Sequence, residues 1–249
     1  MTNTAPAATL TVTTAPDRAA LSHVHRAAGT TRWHSFTGRR QLRSATEAVG
    51  RLSLAPGAAG GGHLQTRTEV ACLVLAGEGE FLVNGAPAPV RAGSLVLAGA
   101  GSARELRNTA DADLDLLVVE TVSPPTHATL SGSLPPYGGT AVSSISVLDL
   151  FEARSIDTTG TFTGPLRQIE IVDIPAGDIR TLGAPDAELA CYVISGGGTV
   201  TSSVTDAPLV VSADTCVTTP AGSENSFAAI KTLRLAVVTL RLPVHEAAQ

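Results

Sequence analysis

The chain has 249 residues, a formal net charge of −5, a pI near 5.6 and a mean hydropathy of +0.22, with 43% apolar and 16% charged residues. That composition excludes a disordered polymer and suits a globular protein with enough apolar material for two domains of about 120 residues each. No block of Lys or Arg offsets the acidic balance, which argues against nucleic acid as a partner because a phosphate backbone needs a basic face.

Residues 1–22, rich in Thr, Ala and Pro, read as a flexible tail. They have neither the basic start nor the apolar core of a signal peptide, and no window supplies the roughly 18 apolar residues of a membrane span, so a cytoplasmic protein with no membrane partner is expected. His23-Val24-His25 has the spacing that puts two rings on one strand face, but no third ligand accompanies it, so it is not read as a metal site. Trp33, the only Trp, is an apolar anchor and a candidate pocket lid, and Arg39, Arg40 and Arg43 form a basic run expected on a solvated face.

Short alternating runs follow at Val49 to Leu54, Val70 to Leu75, Phe81 to Asn84, Ser94 to Leu97 and Leu114 to Glu120. Turn residues separate them, which is all-β spacing, and Asn84-Gly85 is a strong antiparallel hairpin signal. Gly60-Gly61-Gly62 reads as a flexible loop at a pocket mouth. Residues 123–140 collect Pro124-Pro125, Pro135-Pro136 and Gly138-Gly139, so they are expected to be a linker between a first domain at 23–122 and a second at 141–249. Ile145 to Ala153 suits a short helix or a strand. Further runs at Gln168 to Ile174, Leu189 to Ile194, Val200 to Val204, Leu209 to Val211, Thr215 to Thr218 and Leu233 to Leu242 repeat the earlier pattern.

The repetition extends to residue identity. Glu69, Ala71, Cys72, Val74, Gly77 and Gly79 recur 119 positions later as Glu188, Ala190, Cys191, Val193, Gly196 and Gly198, so one strand-turn-strand unit is used twice. Cys72, Cys191 and Cys216 lie in apolar runs without paired spacing, which predicts buried thiols in a reducing compartment, not a disulfide framework or a zinc site.

Three segments in order, Leu75-Ala-Gly-Glu-Gly-Glu-Phe-Leu-Val-Asn-Gly85, Val90-Arg-Ala-Gly-Ser-Leu-Val-Leu-Ala-Gly-Ala-Gly101 and Leu106-Arg-Asn-Thr109, resemble the motifs of a cupin. Val193-Ile-Ser-Gly-Gly-Gly198 and Thr219-Pro-Ala-Gly222 resemble them again. The resemblance covers roughly residues 48–121 and 166–241 and implies a bicupin, an all-β protein of two tandem antiparallel jelly-roll barrels. Family members hold a metal with His-x-His, Glu and a further His. Aligned on those motifs, the matching positions here are His63, Gln65, Glu69 and Arg104, with Asn108 closing the second motif; the second half has Leu182, Ala184, Glu188 and Asn225. Residues two apart on a strand share a face, so His63 and Gln65 are expected to point inward, with Glu69 and Arg104 arriving from neighbouring strands.

An Arg at the last ligand position puts a fixed positive charge where the ion would sit. The resemblance therefore implies a metal-independent enzyme with no cofactor, one that isomerises, cyclises or eliminates within a small organic substrate, in a setting such as bacterial polyketide-type metabolism. Arg104 would stabilise developing negative charge, with His63 and Glu69 moving the proton and Gln65, Asn108 and Trp33 contacting substrate. Two alternatives stand beside it: a metal-dependent oxygenase with His63, Gln65 and Glu69 as unusual ligands, and a non-catalytic small-molecule sensor. Glu188 is read as a structural carboxylate, the second barrel as support, and a homodimer is the default assembly.

Overall fold

In the computed structural model, residues 11–14, 19–22, 28–83, 85–130, 145–202 and 205–243 are described. His23-Val24-His25 and Asn84 lie outside them, as does most of the linker. The first half contains β1 (Thr11–Thr14), β2 (Ala19–Ser22), β3 (Thr30–Gly38), β4 (Thr46–Leu54), β5 (Ala59–Gln65), β6 (Thr68–Ala76), β7 (Glu78–Val83), β8 (Ala86–Arg91), β9 (Ser94–Ala98), β10 (Ser102–Arg107) and β11 (Leu114–Val122). Helix α1 (Pro124–Leu130) opens the linker. After it come β12 (Ile145–Asp149), α2 (Leu150–Ala153), β13 (Ser155–Asp157), β14 (Leu166–Ile174), β15 (Ile179–Gly183), β16 (Ala187–Ser202), β17 (Thr205–Ser212), β18 (Thr215–Thr219) and β19 (Glu224–Arg241). All described strand pairs are antiparallel, and the two tandem jelly-roll barrels expected from the sequence are present.

The first barrel closes a seven-stranded sheet, in the order β12-β9-β6-β11-β4-β3-β2, against a four-stranded one, β5-β10-β7-β8. Side chains at Val70, Cys72 and Val74 of β6 and at Leu114, Leu116 and Val118 of β11 fill the space between them with Phe81, Val90 and Leu106. In the second barrel one eight-stranded sheet folds over, because β16 and β19 are long enough to serve both layers. The bend in β16 falls at Gly196 (φ +93°), the counterpart of Gly77 (φ +82°), which separates β6 from β7. At both positions an added Cβ would collide with a backbone oxygen across the ladder, 2.5 Å away at Gly77 and 2.0 Å at Gly196. Positive φ and close approach together require glycine in both copies.

The residues between those of the first-barrel core point the other way. Ala71, Leu73, Leu117 and Val119 meet Leu166, Ile169, Ile171, Ala190, Tyr192, Ala236 and Val238 of the second half in the largest apolar cluster of the molecule. The facing sheets are thus buried on both sides, which is why their strands read as continuous apolar runs in the sequence. Sheet membership crosses the linker in both directions: β12 pairs with β9 of the first barrel, and β1 pairs with β18 of the second. The stretch Ile145 to Ala153 is both of the forms expected for it, a strand followed by one turn of helix.

Candidate functional site

The first barrel has a polar end, built where β10, β5, β6 and β11 converge. Alternation along β10 turns Ser102, Arg104 and Leu106 inward, and Arg104 is only 9% exposed. Among the described residues its guanidinium has one protein acceptor, the Ala98 carbonyl, at a long 3.5 Å. Burial lowers its pKa, while Cys72 and Glu120 act in the opposite sense. Glu120 sits on the inward register of β11, two residues beyond Val118, and accepts a 2.7 Å hydrogen bond from the Thr68 hydroxyl. The Cys72 thiol lies among the same groups. Burial pushes it up to about 11, with Arg104 opposing and Glu120 reinforcing the shift, so it is protonated near neutral pH.

Glycine shapes the strand opposite. Residues 60–62 belong to β5 and not to a loop, which corrects the expectation of a flexible mouth. A bulge between Arg104 and Glu105 accommodates Gly61 (φ +96°) and Gly62 (φ +70°), and it brings His63 into register with Arg104 and Gln65 with Ser102. Such bulges re-aim the residues that follow them. The His63 side chain lies outside what the structure describes; Leu64 between it and Gln65 is 58% exposed, and Gln65 is half-buried.

Glu69 is elsewhere. Its carboxylate, 3% exposed, accepts the Thr163 amide and hydroxyl on Oε1 and the Gly164 amide on Oε2, all at 2.8 Å. It faces the second half, away from Arg104, and Val70 takes the inward position beside it. This corrects the expectation that Glu69 shares the pocket with Arg104. The physical reason is the two-residue period of a strand: a shift of one position exchanges the faces. Asn108 is also corrected. Its amide donates to the Leu54 and Ala112 carbonyls, both at 2.8 Å, and its oxygen accepts from the Ala110 amide at 3.0 Å, so both its donors are spent on holding the turn before β11, where it is buried. Trp33 packs on the first-barrel core with its ring over Gly50, where an added Cβ would lie 2.6 Å from the indole.

Glu120 and Cys72 are the site residues that motif alignment missed. One signal was available for Glu120: a carboxylate in phase with Leu114, Leu116 and Val118 on a strand whose inward face is otherwise apolar. The described donors do not fit a divalent cation. A guanidinium, a protonated thiol and an apolar Val70 occupy the inner face around one carboxylate, and among the described residues no three His, Cys, Asp or Glu side chains converge.

Among the described residues the second barrel shows no comparable end. Leu182 and Ala184 pack into its apolar filling with Leu189, Cys191 and Phe227, and the buried Asn225 amide donates to Thr219 Oγ1 at 2.7 Å. Glu188, like Glu69, leaves its own barrel: it accepts the Arg43 amide at 2.9 Å and the Ser44 amide at 2.8 Å.

A paired-sheet jelly roll with polar groups gathered at one end of a strand cluster is the architecture of a cupin domain. Residues 50–120 match the family model of the Cupin domain, and with the fold this supports a place in the cupin superfamily. Solved structures of similar fold include the Escherichia coli protein YlbA, at 12% identity over 96% of this chain and 93% of that one, with a TM-score of 0.71. A deletion mutant of Bacillus subtilis oxalate decarboxylase is similar at 15% identity, 93% and 77% coverage and a TM-score of 0.67. Bacterial pirin YhhW from E. coli, in complex with nickel(II), is similar at 14% identity, 94% and 100% coverage and a TM-score of 0.69. At these identities the likeness is one of fold. No curated protein matches the chain.

Proposed function

We propose that the chain is a bicupin whose first barrel binds a small substrate carrying a carboxylate, enolate or carbonyl oxygen and rearranges it by metal-independent acid-base chemistry. The observation that carries this reading is the buried Arg104 guanidinium, which among the described residues has a single long protein acceptor and Glu120 as its nearby acid. A buried cation so sparsely bonded is suited to an anionic oxygen that completes its hydrogen bonds. Arg104 then anchors the oxygen and stabilises charge that develops on it, and Glu120, held by Thr68, accepts the proton. His63, in register with Arg104, is the second candidate acid or base, and the protonated Cys72 is a donor close at hand. Oxalate decarboxylase among the fold neighbours is named for a small dicarboxylate, and Arg104 is the feature of this chain that suits the same class of ligand. The second barrel, with its apolar filling, supports the first. A cytoplasmic homodimer completes the reading, in keeping with three buried, unpaired thiols.

Thermal-shift and NMR titration with oxalate, glyoxylate and related oxo acids test it. The wild-type chain is expected to bind at least one of them, with affinity reduced tenfold or more in Arg104→Ala and partly kept in Arg104→Lys. Glu120→Gln should keep binding and lose turnover by at least tenfold. Binding without turnover in any tested oxo acid, left unchanged by Glu120→Gln, would support a sensor; no dependence on Arg104 would remove the proposal.

A further inference from the structure

We infer that the seam between the two halves, lined by none of the residues of the Arg104 pocket, holds a binding site for a small polyvalent oxyanion. Two adjoining cavities lie there, of about 130 Å³ and 260 Å³, and they share Ala45, Val122 and His127 of helix α1 in their walls. The smaller is completed by Thr163 and Arg241, the larger by Arg43 and Arg39. No carboxylate lines either one among the described residues, in a chain whose net charge is −5.

The charges that surround the seam are unevenly matched. Arg39 is neutralised by Glu47. Arg43 and Arg241 form no ion pair among the described residues, although Arg43 lends its backbone amide to Glu188. Arg167, two residues beyond Pro165 of the smaller cavity's wall but not itself in it, has a buried Nε with no acceptor among the described residues. Burial and then the charge of Arg241 weaken its hold on its proton, with Asp157 and Glu69 acting the other way. Those two acids are already engaged: Asp157 accepts from Thr159, and both Glu69 oxygens are taken by Thr163 and Gly164. An anion beside Arg241 would supply the counter-charge that no ion pair supplies among the described residues and would ease its repulsion with Arg167, and the Thr163 segment borders the same space. A volume of 130 Å³ equals about four waters, room enough for a phosphate.

Isothermal titration of the full chain with inorganic phosphate, at low ionic strength in a buffer free of polyvalent anions, tests the site. One phosphate per chain is expected, bound at least tenfold more weakly by Arg241→Gln, about threefold more weakly by Arg43→Gln, which lines only the adjoining cavity, and equally well by Arg91→Gln, an exposed arginine outside both cavities. Arg43→Gln guards against a folding artefact because that side chain is exposed. Arg104→Ala should leave phosphate binding intact, which separates this site from the barrel pocket. The inference is overturned if the wild-type chain shows no saturable binding, or if Arg241→Gln and Arg43→Gln bind as it does.

Discussion

Glu69 shows how a correct identity in a motif can carry a wrong role. Matched by type, it stands for a ligand; placed on β6, it lies one residue away from the inward position held by Val70, and a single step along a strand exchanges pocket for interface. Sequence spacing made the inward placement of Arg104 legible because β10 alternates regularly around it. It could not show the bulge at Gly61–Gly62, nor that Asn108 spends its amide on a turn, since both depend on partners far along the chain. The new placement of Glu69 makes a specific demand. Glu69→Ala strips acceptors from two backbone amides and a hydroxyl in a buried setting, which should lower stability by about 2–3 kcal/mol. Substrate or oxo-acid affinity at Arg104 should stay within twofold. Urea unfolding together with ligand titration checks both quantities, and an unchanged midpoint with lost binding would return Glu69 to the pocket.

At the level of elements, the strands that the sequence announced are those with apolar residues on both faces, such as β6, β11 and β16. Those it hid carry residues that depress strand propensity for local reasons. Thus β5 begins Ala-Gly-Gly-Gly, and β8 contains Pro87 and Pro89, tolerated because β8 is the edge of its sheet. The length of β16 was likewise hidden, since a Gly-Gly-Gly run reads as a turn; in the fold it is a series of register shifts that lets one strand serve two layers. The duplicated glycine is therefore a geometric requirement with two outcomes, a break at Gly77 and a bend at Gly196. Gly196→Ala forces a Cβ against the Thr232 carbonyl at a positive φ. It should cost about 1–3 kcal/mol, whereas Gly160→Ala, where an added Cβ meets nothing within 4 Å, should be close to neutral. Thermal denaturation of the two variants side by side measures the contrast; equal midpoints would mean that the β16 bend relaxes freely.

The whole molecule is tied together by symmetry of role. Glu69 of the first half holds the 163–164 segment just before β14, and Glu188 of the second holds the 43–44 segment just before β4, so each barrel clamps the entry to the other's sheet. Around the clamps lies the largest apolar cluster, and at its rim Arg51 joins Asp115 of its own half at 2.8 Å to Asp214 of the other, which also accepts from the Tyr192 hydroxyl. Strands β1 and β12 cross between the halves as well. An interface that is large, apolar and crossed by backbone pairing removes the usual independence of neighbouring domains. The duplication visible in the sequence suggests two separable units, but the copies bury equivalent faces of the same runs against each other, that of Ala71 and Leu73 in the first and that of Ala190 and Tyr192 in the second, and nothing in one copy alone reports that its second face is covered. Equilibrium unfolding in urea should accordingly give one transition, coincident by far-UV circular dichroism and by the fluorescence of Trp33, which reports on the first half alone. Residues 1–143 expressed without the rest would expose Phe36, Leu73, Leu97 and Leu117 and should aggregate, and co-expression with 144–249 should restore solubility. Two resolved transitions, or a soluble and folded first half, would show instead that the clamps join barrels that are stable apart.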